Sequence, residues 1–147
     1  MINIQKSLSW YASALITALL IAYFWPVSHW LDVRSITVSD AAYGHSPKMI
    51  VDRQIKIPFF ATWQVELERE NSFGRFVFVR KADGANSYTT SLDLPDDLNL
   101  DWWTYPKRFN IDPGNYRIET CWRIKVYAIP KPPVCVLSNT FTIGHQK

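Results

Sequence analysis

The sequence has little with which to do redox, metal or nucleophilic chemistry. Its 147 residues include two cysteines, three histidines and five glycines. The histidines, His29, His45 and His145, are far apart, and none stands beside an obvious nucleophile. There is no Gly-x-Ser-x-Gly, no His-Glu-x-x-His and no glycine-rich phosphate loop, so the common hydrolase, zinc-protease and nucleotide-binding signatures are missing. Neither cysteine has a neighbour that would make it a reactive thiolate. A zinc site would need more ligands nearby, and no Cys-x-x-Cys occurs. Asp52-Arg53 reads as a local ion pair or turn. These absences argue against an enzyme, and no cofactor or metal is expected.

Charge of one sign is lacking too. Lys and Arg number 16 against 13 Asp and Glu, a formal charge of +3. The basic residues are scattered. Nucleic-acid binding needs a clustered basic face, so no nucleic-acid partner is expected.

The longest absence of charge is local. From Ser7 to Trp30 there is no Lys, Arg, Asp or Glu. A bilayer core needs roughly 20 apolar residues in a helix. Trp10 and Tyr11 at one end, and Tyr23, Trp25 and Trp30 at the other, suit the two interfaces. Pro26 stops the helix. A cleaved signal peptide needs small residues at its cleavage site, whereas Tyr23-Phe24-Trp25-Pro26 is bulky; a buried soluble helix is a further alternative. Lys6 precedes the run, and Asp32 and Arg34 cancel after it, so the positive-inside bias puts the N-terminus in the cytoplasm. The expected organisation is a cytoplasmic N-terminus (1–6), a transmembrane signal-anchor helix (7–30) and a periplasmic β-sandwich domain (31–147). The expected localisation is the inner membrane, single-pass, with the C-terminal domain periplasmic.

Beyond Asp32 the pattern alternates with period two. Ile55, Ile57, Phe59, Ala61, Trp63, Val65 and Leu67 form one apolar face, with Pro58 at an edge or bulge. Tyr116, Ile118, Thr120, Trp122, Ile124 and Val126 form another. Shorter strands are expected at Val33 to Ser39, Arg75 to Arg80, Ser87 to Leu92 after an Asp83-Gly84 turn, Lys107 to Ile111 and Val134 to Ile143. About seven strands separated by turn signals argue for an antiparallel sandwich. Cys121 and Cys135 flank the Pro130-Lys131-Pro132-Pro133 turn. They are expected to join adjacent strands by a disulfide on the polar face, closing a loop of about 15 residues worth about 3 kcal/mol; two free thiols are the alternative.

Two resemblances follow from particular residues. Pro113-Gly114-Asn115-Tyr116-Arg117-Ile118, with Ser138-Asn139-Thr140-Phe141-Thr142-Ile143 further on, resembles the last two strands of bacterial immunoglobulin-like and fibronectin type III-like modules. That implies an all-β, Ig-like/fibronectin III-like sandwich after the N-terminal helix. It says nothing of function. Met49-Ile50-Val51-Asp52-Arg53, Pro58-Phe59, Trp63, Leu94-Pro95, Leu100-Asp101-Trp102-Trp103, Pro113-Gly114 and Tyr116 together resemble a set of uncharacterised single-pass membrane proteins encoded by phages and prophages of alphaproteobacteria. The resemblance implies a phage-encoded membrane protein and supplies no functional residues.

The candidate binding residues are aromatic. Trp102, Trp103 and Tyr105, with Phe109 beyond them, are an unusual cluster, and adjacent Trp residues on a strand would face opposite ways. One would fill the core and the other would be a partner-binding anchor; both filling the core is the alternative. Phe60 falls on a polar strand face and is a second candidate. Asp93, Asp96, Asp97 and Asp101 crowd one loop, but without the alternation and central Gly of a calcium loop they read as solvated turn residues. The functional expectation is a membrane-anchored, non-enzymatic periplasmic binding module with a protein partner in the host or phage envelope, as in superinfection exclusion. The alternative is a holin-like or lysis-regulating phage membrane protein.

Overall fold

The computed structural model describes residues 4–91, 98–104, 111–126 and 129–144, with side chains from Trp10 onward except that of Ile129. Helix α1 spans Ile4–Phe24. Its interior is rich in Ala, Leu and Ile, and Thr17 Oγ1 donates to the Ser13 carbonyl one turn back (2.9 Å), so that hydroxyl needs no outside partner. Pro26 adopts an extended conformation (φ −61°, ψ 135°), and a 3-10 turn over Val27–His29 leads into the sheets.

Among the described residues no helix is long and apolar enough to cross a membrane. This overturns the expected localisation as a single-pass inner-membrane protein with a periplasmic C-terminal domain. Trp10, Tyr11, Ser13, Thr17 and Tyr23 interrupt the apolar residues between Trp10 and Phe24. The expectation rested on the uncharged run, the apolar stretch within it and the aromatics at its two ends.

The remaining elements are β1 (Leu31–Val38), β2 (Ala41–Ala42), β3 (Lys48–Ile55), β4 (Phe59–Glu70), β5 (Phe76–Tyr88), β6 (Leu98–Asn99), the short helix α2 (Leu100–Thr104), β7 (Gly114–Val126), β8 (Ile129–Pro130), β9 (Val134–Leu137) and β10 (Phe141–Gly144). They make a mostly β domain of two sheets. The smaller sheet has the order β1-β3-β6. The larger has the order β2-β10-β7-β4-β5. One edge of β7 pairs along its length with β4; the other is shared by β10, β9 and β8.

One core lies between the sheets. Phe59, Ala61, Val65 and Leu67 of β4 and Tyr116, Ile118, Thr120, Trp122 and Ile124 of β7 turn inward, each buried. Ile36, Val38 and Met49 of the smaller sheet belong to the same cluster. Each buried Leu, Ile or Phe side chain contributes about 1.5–3 kcal/mol relative to exposure. Alternation at period two thus did locate the inward faces of β4 and β7.

The strand boundaries differ from the sequence expectation in three instructive places. The apolar run from Ile55 to Leu67 is two strands, broken at 56–58. Pro58 has no N–H for a ladder, and the Lys56 amide bonds instead to the Trp30 carbonyl (2.8 Å). Asp83-Gly84 is not a turn: both lie within β5, and Gly84 stands opposite Trp63 on β4. A Cβ at Gly84 would sit 2.6 Å from Trp63 Cζ2, so the glycine makes room for a ring rather than a bend. The run Val134 to Ile143 divides at Ser138, whose Oγ accepts from the Ile118 amide (3.0 Å) and donates to the Asn139 carbonyl (2.8 Å). Of the expected strand Lys107 to Ile111, residues 107–110 lie outside the described residues.

Candidate functional site

Trp102 and Trp103 lie on α2, not on a strand, yet they still diverge. Successive side chains on a helix are about 100° apart, so a single turn can bury one ring and present the next. The turn is held from several sides. The Leu100 amide bonds to the Pro47 carbonyl (2.9 Å), the Asp101 amide to Ser46 Oγ (3.1 Å), and Thr104 Oγ1 to the Leu100 carbonyl (3.0 Å). Asp101 Oδ1 accepts from the Trp102 amide (2.8 Å), which explains at least one of the crowded aspartates as a turn residue; Asp93, Asp96 and Asp97 lie outside the described residues.

Trp103 fills the core at 8% exposure. Its Nε1–H donates to Thr120 Oγ1 of β7 (3.0 Å), and its ring meets Trp122 edge-on at 6.3 Å. Trp102 is 59% exposed, its ring 6.0 Å from that of Trp103. Tyr105 and Phe109 lie outside the described residues. Phe60 is 43% exposed on β4, between inward-facing Phe59 and Ala61, and so on the outer face of the larger sheet. Trp103 packs on the inner face of that sheet. Phe60 and α2 therefore occupy opposite sides of it and do not make one patch.

Cys121 and Cys135 form a disulfide between directly opposed positions of β7 and β9, on the outer face. Cys121 borders an open cleft of about 450 Å³ whose lining includes Thr62, Gln64, Lys81, Asp83 and Arg123. The cleft carries charges of both signs. Among the described residues it holds no histidine and no free thiol, and nothing in it pairs a nucleophile with a base.

Between the sheets Arg53 meets Tyr88 rather than Asp52, whose ion pair is with Arg34 (3.7 Å). The Arg53 guanidinium lies over the Tyr88 ring, 5.3 Å from its centroid. Burial lowers the arginine's pKa and raises that of the phenol, and their mutual attraction opposes both shifts. The period-two pattern of β3 puts Arg53 on the inward side; only knowledge of what lies opposite could have shown why a cation is tolerated there.

No protein-family model, no curated protein and no solved structure matches this chain.

Proposed function

We propose that this chain is a non-enzymatic, Ig-like binding module that engages a protein partner of the bacterial or phage envelope, with superinfection exclusion as its biological setting. The observation that carries this reading is Trp102, a large indole left exposed on a turn that backbone hydrogen bonds and a buried neighbour hold rigid. Rigid exposed aromatics are favoured anchors, since little ordering entropy is lost when they bind. Two features support the Ig-like assignment. β2 pairs in parallel with the final strand β10 while the other ladders are antiparallel. Tyr116, at the start of β7, donates its phenol hydrogen to the Asp112 carbonyl four residues upstream (2.7 Å), the arrangement of a tyrosine corner. The disulfide is the kind of bond that persists in an oxidising compartment. A holin-type role needs a membrane-spanning helix, and no described helix is long and apolar enough to be one.

The test compares cells of a Gram-negative host expressing the parent chain or Trp102→Ala at equal levels, challenged with a related phage. Resistance with the parent and its loss with Trp102→Ala is the expected result. Equal protection by both variants, or none by either, would overturn the proposal.

A further inference from the structure

The outer face of the larger sheet holds a group of side chains that the binding reading does not use. Glu119 and Cys121 are two residues apart on β7 and so point the same way. Cys135 stands directly opposite Cys121 on β9. One carboxylate oxygen and the two sulfurs all lie within 4.8 Å of one another. A second observation bears on the same spot. On the other side of β7, Glu119 stands directly opposite Glu66 of β4. Like charges directly opposite each other on a ladder are unfavourable. Lys81 of β5 stands opposite Glu66 on its other side, but among the described residues neither carboxylate forms an ion pair, and Glu66 accepts from Gln64 Nε2 (2.6 Å).

We propose that Glu119, Cys121 and Cys135 form a redox-gated site for a borderline-soft divalent cation of the zinc class, closed while the disulfide stands and opened by a dithiol reductant. Disulfide sulfurs are poor ligands; thiolates are strong ones. The reductant breaks the Cys121–Cys135 bond by exchange: two electrons and two protons pass to the protein, and the dithiol becomes a cyclic disulfide. Metal binding then displaces both thiol protons. Two thiolates and one carboxylate match the donor types zinc takes, at about 2.3 Å for sulfur and 2.0–2.2 Å for oxygen. The three donor atoms already stand within 4.8 Å of one another. Cys135 is exposed and Cys121 borders the open cleft, so reductant and ion can both reach the site and solvent can fill the fourth position. The cation also offsets the Glu66–Glu119 repulsion.

The experiment uses the full chain, oxidised or reduced with dithiothreitol and desalted without oxygen, titrated with cadmium alone. Cadmium reports thiolate ligation by its ultraviolet charge-transfer band. The expected result is about one cadmium per chain in the reduced form, displaced by zinc, with none in the oxidised form. Glu119→Gln should weaken uptake more than about tenfold while keeping the band, and Cys135→Ser should abolish it. Far-UV circular dichroism follows the fold in parallel. The proposal is overturned by a reduced chain that takes up no cadmium, by equal uptake in the oxidised form, or by a Glu119→Gln variant that binds as the parent does. It is equally overturned if reduction unfolds the strands and saturating cadmium fails to restore them.

Discussion

The Lys131 ammonium lies 5.1 Å from the centroid of the Trp30 ring, and the same nitrogen donates to the carbonyls of Ala22, Tyr23 and Trp25 at the end of α1. A cation from the Pro-rich turn after β8 thus caps a helix more than a hundred residues earlier in the chain. Lys131 is only 3% exposed. A helix C-terminus has unsatisfied carbonyls and a partial negative charge, and a lysine there answers both.

Replacing Lys131 by Met should therefore free the end of α1 from the β domain. Losing hydrogen bonds to a charged donor costs roughly 1.5–3 kcal/mol. Amide hydrogen exchange over residues 22–25 should accelerate by about tenfold to a hundredfold, while the strand amides of β4 and β7 keep their protection. Unchanged exchange at the helix end would show that the lysine does not hold it.

Trp103, the buried one of the two adjacent tryptophans, donates its indole N–H to Thr120. Trp103→Phe keeps most of the ring but leaves the fully buried Thr120 hydroxyl without its donor. The expected loss is about 1–3 kcal/mol by urea denaturation. Thr120→Val should cost less in the Trp103→Phe background than in the parent, because the bond is already gone. Additive costs would mean that the bond contributes nothing.

The Cys121–Cys135 bridge should stabilise the domain by about 3 kcal/mol. Cys121→Ser and Cys135→Ser should melt at the same lowered temperature, as should the chemically reduced parent. A single-cysteine variant that melts like the untreated parent would rule the bridge out of the stability account.

At Gly84 the glycine provides space, so adding one methyl should press on the Trp63 ring. Gly84→Ala should destabilise by about 1–3 kcal/mol through overpacking. Adding Trp63→Leu to Gly84→Ala should recover part of that loss. A neutral Gly84→Ala would show that the ring moves aside at no cost.

Burial holds the Tyr88 and Tyr116 phenols above the ordinary tyrosine value of 10.0. The unfolded chain therefore loses these protons first as pH rises. Between the unfolded and folded values the native state binds more protons, so stability falls with rising pH. Their contribution is intact below about pH 10 and is lost as pH climbs through the folded values. Urea midpoints should be level up to that point and then decline, and Tyr88→Phe should flatten the decline. A midpoint that holds steady through the whole alkaline range would contradict this.

Much of the β domain was legible in advance because burial on one face of a strand leaves a period-two trace. Ile118, Trp122 and Ile124 were placed inward, and Cys121 outward, by counting alone. Asp83-Gly84 was misread because a glycine needed for its lack of a side chain looks the same as one needed for a turn. Trp102 and Trp103 were read as diverging on a strand; they diverge on a helical turn, where the same consequence has a different cause. Glu119 carried a faint signal, two residues before Cys121 on one face, but its closeness to Cys135 depends on the register between β7 and β9.

The N-terminal run shows the same division. That it is helical and ends at Pro26 follows from local chemistry, which the sequence determines by itself. Whether it crosses a bilayer is a matter of length and hydropathy along the helix together, and no described helix is long and apolar enough. What covers its last turn was decided only by the tertiary fold. The Lys131 contact, like Arg53 over Tyr88 and Glu119 beside the cysteines, joins positions remote in the chain, and no local periodicity records which partner a side chain will meet.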